Sequence, residues 1–258
     1  MAIVTRRVAE RPRDYLRVTG PDAQDLLQRL VSNDVSAGWC EALLLTPKAR
    51  VIAPLVVVRQ AADDFLLLTE PGLGETVRSA LLRARFAAKV EVEPEQHRSV
   101  VVLGEGEEGI PNHDYGEPAR ELLDAELEAT LAPDELERLR IRAGAPAWGR
   151  ELDDRVLPAE AGLVERAISF TKGCYPGQEP VARLHHRGHA NRALRVLRIA
   201  SAELPPYDAE VRLVDRVVGR VTSATLDDEG VLALAYVRVE VPPGAELTVG
   251  GATARTLD

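Results

Sequence analysis

Apolar and polar residues alternate along several stretches of the first half of the chain, and this two-residue period predicts β-strands with one buried face. Two of these strands are separated only by the turn signal at residues 46–50, so we predict that they form a hairpin. The predicted strands of this half are residues 14–19, 41–45, 51–59, 65–69, 90–92 and 99–103.

Three other stretches repeat apolar residues every three or four positions, which is the period of an amphipathic helix. The first follows Pro21 and ends at residues 32–34, the second covers residues 74–88, and the third covers residues 133–143. We expect Phe86 to extend the apolar face of the second helix.

The end of the chain has a different pattern. After about residue 191, three to six short β-rich stretches alternate with turn signals, which predicts a small barrel or sandwich. Residues 104–119 are rich in Gly, Glu and Pro and predict an exposed loop. We therefore predict an α+β protein, not a doubly wound parallel sheet, with a body over residues 1–190 and a C-terminal β-barrel over residues 191–258.

The charge, the cysteine count and the lack of long apolar runs argue against several classes of protein. The net charge of −9 makes general nucleic-acid binding a poor expectation. Two cysteines, Cys40 and Cys174, are too few for a disulfide framework or a self-sufficient metal site. Residues 1–12 lack the pattern of a secretory leader, and no apolar run reaches the length of a membrane span. We expect a cytoplasmic protein with no membrane and no direct nucleic-acid partner.

The densest group of reactive side chains lies at residues 172–183, with the sequence KGCYPGQEPVAR, which we call the signature segment. Its two glycines permit left-handed backbone or close approach, and Pro180 suits the first turn of a helix. We predict a strand end at residues 169–172, a tight turn at residues 173–177 and a helix from Gln178.

Cys174 is a candidate reactive cysteine in this segment. It would lie just ahead of a helix N-terminus and two residues from Lys172, and both neighbours favour a thiolate. The alternative, that Cys174 is a small buried apolar residue in a glycine-rich turn, stays open.

The signature segment closely resembles the K-G-C-Y-x-G-Q-E motif of YgfZ-type folate-binding proteins, relatives of the glycine-cleavage T-protein, an aminomethyltransferase. The resemblance implies two interleaved α+β subdomains in a ring-like body, a small C-terminal barrel, and folate in a central cavity. Other segments that resemble superfamily motifs are LLQRLVSNDV (26–35), LTPKAR (45–50), RIRAGAP (140–146), GRVTS (219–223) and LAYVR (234–238).

The resemblance also implies a function and a site. Tetrahydrofolate or a folate derivative would be the cofactor, and the partners would be iron–sulfur cluster proteins or their assembly machinery, including those serving tRNA-modifying enzymes. Cys174 would be the functional thiol, supported by Lys172, and no metal ligands are expected. The residues expected to bind the cofactor are Tyr175, Gln178, Glu179, Arg183, Asn33 and Lys48.

Two positions depart from the T-protein pattern. The aspartate pair that orients the folate nitrogen in T-proteins corresponds here to Ala53 and Pro54, whose side chains cannot accept a hydrogen bond. Arg142 stands where T-proteins carry a pterin-binding glutamate, and a guanidinium offers only donors. We therefore favour a YgfZ-type role over glycine cleavage, with a folate-dependent aminomethyltransferase and a ligand-free interaction scaffold as alternatives.

Charged and aromatic residues follow the signature segment. His185 and His186 are adjacent and would point to different sides, so we expect solvated or anion-facing imidazoles and not a zinc site shared with Cys174. Gln178 and Glu179 could also serve only the helix N-terminus. The local basic region, which would suit a folate glutamate tail, a phosphate or only solvent, contains Arg183, Arg187, Arg192 and Arg195.

Overall fold

The computed structural model describes residues 6–106 and 108–257; residues 1–5, Glu107 and Asp258, and the predictions that fall on them, lie outside this description. The helices are α1 (Ala23–Leu30), α2 (Gly74–Ala84), α3 (Pro133–Arg142), α4 (Val164–Ala167) and α5 (Gln178–Arg187). The strands are β1 (Arg7–Glu10), β2 (Asp14–Thr19), β3 (Trp39–Leu45), β4 (Val51–Ala61), β5 (Asp64–Thr69), β6 (Glu91–Glu95), β7 (Ser99–Leu103), β8 (Ile110–Pro111), β9 (Ala119–Leu123), β10 (Arg192–Ile199), β11 (Glu210–Leu213), β12 (Arg216–Asp227), β13 (Gly230–Arg238), β14 (Leu247–Val249) and β15 (Ala252–Thr256).

Two antiparallel sheets build the body. One has the strand order β3-β4-β5-β2-β6, and the other has the order β1-β7-β9-β8. Because β1 joins the four-stranded sheet, β2 to β6 form the five-stranded sheet, and β7 to β9 return to the first, the two sheets interleave along the chain. This is the arrangement that positions loops from both sheets around one central space.

The five-stranded sheet holds the largest core. Helices α1 and α2 pack on it and bury Leu26 and Val77 against strand residues such as Leu67. Strand β4 alternates between buried and half-buried positions, so Ala53 faces this core while Pro54 faces the other side, where it lines the central space. Within the described residues, no helix has both the length and the apolar character needed to cross a membrane.

The end of the chain forms a closed barrel with the strand order β10-β13-β12-β11-β14-β15. Its interior is apolar and includes Leu197, Val211 and Val237, all fully buried. Strands β12 and β13 approach closely at Gly219, where an added Cβ would lie 2.4 Å from the carbonyl oxygen of Tyr236. The predicted α+β class with a C-terminal barrel is confirmed. The division at residue 190 stays a prediction; the first barrel strand begins at Arg192.

Several local predictions need correction. Helix α2 ends at Ala84, because Phe86 adopts a left-handed φ of 47° and its side chain is 89% exposed. The region predicted as an exposed loop at residues 104–119 contains β8 and a buried Tyr115. The predicted strand end at residues 169–172 is absent, and residues 170–172 form bends. The strands that the sequence pattern did not predict are β1, β8, β9, β14 and β15.

Candidate functional site

The first residue of the signature segment, Lys172, is hydrogen-bonded to the turn after α1. The Lys172 ammonium donates hydrogen bonds to the carbonyl oxygens of Val31 (2.7 Å) and Asn33 (2.9 Å). It also lies 5.4 Å from the centre of the Tyr175 ring, which is buried. Burial lowers the pKa of Lys172 to about 8, against an opposing effect of the nearby Asp34 carboxylate. Lys172 thus ties the segment to the turn after α1.

The signature segment has a second close contact at Gly177, which precedes α5 and lies against the hairpin of β3 and β4. This residue has φ +83°, and an added Cβ would lie 2.7 Å from the carbonyl oxygen of Thr46 and 3.0 Å from the Cα of Ala49. Ala49 itself has φ 59° and is buried, which accounts for the glycine that the family motif usually carries there. Two motifs far apart in the sequence therefore meet through backbone contact.

Cys174 is exposed between these two attachment points, whereas Cys40 on β3 is half-buried. Burial raises the pKa of the Cys40 thiol to about 12. We expected Lys172 to lie beside the Cys174 thiol, but its ammonium bonds to backbone carbonyls, and no hydrogen bond joins these two described residues. The geometry makes Lys172 a residue that positions the turn presenting the thiol.

Asn33 is used within the chain. Its amide nitrogen donates to the carbonyl oxygens of Glu41 (2.8 Å) and Arg166 (3.1 Å), and its amide oxygen accepts from the Asp34 backbone N–H (2.9 Å). These bonds hold the turn after α1 against β3 and α4. Asn33 therefore supports the carbonyl that Lys172 binds, and its side chain has no free donor for a cofactor.

A cleft of about 410 Å³ lies beside α5, between the hairpin of β3 and β4 and the loop before α4. None of its lining residues is acidic. Its apolar floor is formed by Ala49, Leu157, Pro158, Ala159, Val164, Pro180, Val181 and Leu184, and its rim carries Lys48, Arg50, Arg183, His185, Arg187 and Gly188. We call this space the basic cleft.

The structure divides the basic region that the sequence predicted. Arg183 and Arg187 are four residues apart on α5, so they lie on the same helix face at the rim of the basic cleft. Arg192 instead pairs with Glu160 (3.0 Å), and Arg195 donates to the carbonyl oxygen of Val241 (2.9 Å).

The histidines after the signature segment form ring contacts. His185 stacks on Phe170 with ring centres 4.4 Å apart, and His186 contacts both rings. Among the residues that the structure describes, no group of three or more His, Cys, Asp or Glu side chains could hold a metal ion.

Gln178 and Glu179 occupy the first turn of α5. Gln178 is half-buried, Glu179 is exposed, and neither lines the basic cleft. A carboxylate at this position is stabilised by the helix dipole without any ligand. Their role as cofactor ligands stays a prediction, as does that of Lys48 and Arg183, which the structure brings to one rim.

The central space between the two sheets is filled by ion pairs. Arg13 binds Glu121 and Glu70 at 3.0 and 2.8 Å, and Arg11 also binds Glu70. At its edge, Arg166 on α4 pairs with Glu41 (3.0 Å) and with Asp114 (2.8 Å). Sequence reasoning did not anticipate this network, since no local spacing relates residues that come from both sheets and α4.

This central space does not fit a pterin. Its cavity volume is about 50 Å³, whereas small-molecule sites usually measure about 300–1,000 Å³. Two of the carboxylates that line it, Glu41 and Asp114, are bound by Arg166. Arg142 is not among the lining residues; it pairs with Asp227 of the barrel at 3.1 Å. The basic cleft, by contrast, falls within the usual range of volumes.

Comparisons with known proteins show which sequences and structures this chain resembles. No model of a known protein family matches the chain. It is similar to an uncharacterised protein of Haemophilus influenzae (30% identical over 238 residues, 86% of this chain and 85% of that one). It is also similar to the tRNA-modifying protein YgfZ of Escherichia coli O45:K1 (26% identical over 265 residues, 83% of this chain and 79% of that one).

Among solved structures, the glycine cleavage system aminomethyltransferase T of Bartonella henselae aligns with a TM-score of 0.82 at 18% identity, over 97% of this chain and 84% of that one. The fold is therefore that of an aminomethyltransferase T. In this chain, the signature turn is held at Lys172 and at Gly177 and carries the exposed Cys174. The sequence similarity and the fold together make this a YgfZ/GcvT-like protein.

Proposed function

We propose that this protein is a YgfZ-type folate-binding protein that supports iron–sulfur cluster assembly or repair, and through it cluster-dependent enzymes such as tRNA-modifying ones. Cys174 provides its functional thiol. The name of the Escherichia coli relative, tRNA-modifying protein, supports this direction. A single thiol cannot hold a cluster alone, so any contact with a cluster requires a partner's ligands.

The observation that carries the proposal is the construction of the signature turn. Lys172 and Gly177 anchor its two ends by hydrogen bonds and close backbone contact, and Tyr175 is buried between them. Cys174 alone among the chemically reactive side chains of residues 173–177 is left exposed. A rigid turn that presents an exposed thiol suits a partner-directed reaction better than a packing role, for which a buried cysteine would be expected.

In this proposal, folate binds in the basic cleft. Its apolar floor suits the flat pterin and aminobenzoyl rings, and Lys48 and Arg183 at its rim suit the glutamate carboxylates. The cleft and the central cavity share no lining residue; Val164 of α4 lines the cleft, and Ala167 of α4 lines the central cavity. Bound folate supplies a one-carbon carrier; the chain's own residues hold and orient it.

A folate-dependent aminomethyltransferase is the second candidate, and the fold favours it. The site does not, since Ala53 is buried in the core and Pro54 lines a cavity of about 50 Å³. Transfer of a methylene group from aminomethyl donors to tetrahydrofolate tests this candidate. Measurable turnover would favour it over the thiol-dependent role.

Replacement of Cys174 by alanine in cells tests the thiol. The variant is expressed at the native level in a strain lacking the protein, and the activity of an enzyme that carries a [4Fe–4S] cluster is measured. We expect Cys174→Ala to behave like the empty strain, while Cys40→Ala, which removes the half-buried thiol, retains function. Full activity with Cys174→Ala would refute the thiol and favour an interaction scaffold.

A further inference from the structure

His97 lies where the chain crosses from one sheet of the body to the other. It belongs to the connection at residues 96–98, between β6 of the five-stranded sheet and β7 of the four-stranded sheet. Its side chain is 21% exposed, and its ring meets the ring of Tyr15 on β2 edge-on, with ring centres 5.1 Å apart. His97 therefore packs at the margin of the apolar cluster that Tyr15 forms with Leu66 and Leu68.

Both ring nitrogens of His97 face carboxylates. Nδ1 lies 2.6 Å from Oδ2 of Asp124, which follows β9 of the four-stranded sheet, and Nε2 lies 3.0 Å from Oε2 of Glu95 on β6. A neutral imidazole has one N–H and can donate to only one of these acceptors, whereas an imidazolium donates to both. With both carboxylates ionised, the geometry fits only the imidazolium.

The charges around the ring favour the imidazolium as well. Burial lowers the pKa of His97, but the hydrogen bonds and negative charges of Asp124 and Glu95 outweigh this effect and raise the pKa above its ordinary value of 6.5. The hydrogen bonds that Asp124 accepts from His97 and from the Arg98 backbone N–H hold the pKa of this carboxyl below its ordinary value of 3.8. The ring and Asp124 therefore carry opposite charges at neutral pH.

Other charged and titratable groups surround His97 and its two partners: Tyr15, Arg17, Asp64, Arg98 and Glu10. Arg17 donates to Glu95 at 3.4 Å, so Glu95 keeps a second cation when the ring loses its proton. The Arg98 guanidinium binds Glu10 and backbone carbonyls. Burial raises the pKa of Tyr15, so its phenol stays neutral while His97 titrates.

The same strand has a second charged link to the five-stranded sheet. Glu121 on β9 binds Arg13, which directly precedes β2, at 3.0 Å. An arginine keeps its charge throughout the neutral and mildly alkaline range, so this link does not change where a histidine titrates. Strand β9 is thus joined to the other sheet by one permanent link and by one titratable link.

We propose that His97 is a proton-dependent bridge, whose imidazolium joins Asp124 of one sheet to Glu95 of the other and holds the end of β9 in place. Loss of the ring proton breaks one of its two hydrogen bonds, and the end of β9 then opens more often. Because the pKa is raised on folding, the contribution of the bridge to stability is present below pH 6.5 and is lost as the pH rises through the folded value.

The protonation state of the ring is the first test. Heteronuclear NMR of ¹⁵N-labelled protein reads both ring nitrogens of each histidine, and His97→Gln identifies the signals of this ring. We expect protons on both nitrogens of His97 at pH 7.5, where an ordinary imidazole is mostly neutral. A ring with a proton on one nitrogen only at this pH would overturn the proposal.

Hydrogen exchange tests whether the ring holds the end of β9. The reporters are two backbone amides: Arg98 N–H donates to the Asp124 carboxylate (2.9 Å), and Asp124 N–H donates to the Arg98 carbonyl oxygen (2.7 Å). After correction for the intrinsic rate at each pH, we expect their exchange to rise about three- to tenfold from pH 6 to pH 9, the size expected for partly exposed ion pairs.

Variants assign this change to the bridge. His97→Gln should exchange at the fast rate at both pH values. Asp124→Asn keeps an acceptor for Arg98 N–H and a residue type that tolerates the φ of 53° at this position, but it removes the charge and should also flatten the pH dependence. His113→Gln is the matched control, because His113 also binds a carboxylate, that of Glu41, and should keep the wild-type profile.

Two results of the exchange experiment would overturn the proposal. One is equal corrected exchange at pH 6 and pH 9 in the wild type. The other is a pH dependence that persists in His97→Gln, since another group would then cause it. Neither result depends on folate or on Cys174, so the proposed function is tested separately.

Discussion

At the scale of single residues, the two cysteines have opposite environments. Cys174 is exposed on the signature turn, whereas Cys40 is half-buried on β3, where burial raises its pKa to about 12. Because the thiolate is the reactive form of cysteine, exposure and pKa together decide which thiol reacts with partners or reagents. We therefore expect Cys174 to be the more reactive of the two thiols.

We predict that iodoacetamide at pH 8 alkylates Cys174 at least about tenfold faster than Cys40, since most of the Cys40 thiol is protonated at that pH. Peptide mass spectrometry of the native protein measures both sites in one sample. Unfolding the protein first should abolish the difference. Comparable rates at the two cysteines in the native protein would contradict the assignment.

Lys172 gives a prediction about pH. Burial lowers its pKa to about 8 in the folded protein, from the ordinary lysine value of 10.5. Between these values the unfolded chain binds more protons, so this group's contribution to stability rises from pH 8 to 10.5 and is lost as the pH falls through 8. Urea unfolding at several pH values should show wild type gaining stability relative to Lys172→Met across this window. The exposed Lys89→Met variant provides the control, and a flat difference for Lys172→Met would contradict the lowered pKa.

Some local features of the site had a signal in the sequence. The turn glycines and the helix start at Gln178 follow from residue types and spacing. The cofactor-binding roles that the resemblance implied for Lys48 and Arg183 stay predictions, and the structure brings both residues to the rim of the basic cleft. The partners of Lys172 could not be predicted, because they are backbone carbonyls of Val31 and Asn33, far away in the sequence. We expected Lys172 to contact Cys174, two residues away in the chain, but its ammonium binds the loop after α1.

At the scale of elements, the central feature is the contact between the signature turn and the hairpin of β3 and β4. Gly177 touches the backbone of Thr46 and Ala49, so any side chain there would push the two elements apart. This contact also sets the width of the basic cleft, since Lys48 lies on the hairpin and Arg183 on α5.

We predict that Gly177→Ala destabilises the protein by more than Gly72→Ala. The two glycines have nearly the same φ, +83° and +85°, but a Cβ at Gly72 meets nothing within 4 Å. Gly72→Ala therefore costs only left-handed strain, about 1–2 kcal/mol, while Gly177→Ala adds about 1–3 kcal/mol of overlap. Urea unfolding measures both costs. Equal losses would show that the turn and the hairpin do not touch at this point.

At the scale of the whole molecule, the barrel is joined to the body by a buried charge. Glu151 is fully buried and accepts hydrogen bonds from Arg140 on α3 (3.0 Å) and from the Ser223 hydroxyl on β12 (2.7 Å). Tyr236 on β13 donates to the backbone carbonyl of Glu151. These bonds link body and barrel across the interface of α3 with the barrel.

Removing the Glu151 carboxylate should therefore lower the free energy of unfolding substantially. We predict that Glu151→Ala lowers the free energy of unfolding by about 3 kcal/mol, because Arg140 keeps only its half-exposed partner Glu137, and the Ser223 hydroxyl and the Ala147 N–H lose their acceptor. Glu240→Ala removes the carboxylate of an exposed pair with Arg216 and should cost less than about 1 kcal/mol. Chemical denaturation of the two variants checks both values, and a loss below about 1 kcal/mol for Glu151→Ala would contradict the account of the interface.

The fold class was predictable because long alternating and helical periods fix the type of most elements. Short strands such as β14, with three residues, carry too little pattern to be recognised, and β9 contains the buried charge of Glu121. Closure of the barrel and interleaving of the two sheets depend on pairings between distant segments. The ion pairs that fill the central space likewise join distant residues, so the sequence indicated an open cavity there.

We propose that folate binds in the basic cleft and not in the central space. Hydrogen–deuterium exchange with and without tetrahydrofolate, read by mass spectrometry, distinguishes the two sites. We predict slower exchange at residues 46–50 and 180–188, which line the cleft, and no change at residues 111–114 and 146–148, which line the central cavity. Protection of the central residues with an unchanged cleft would contradict the claim.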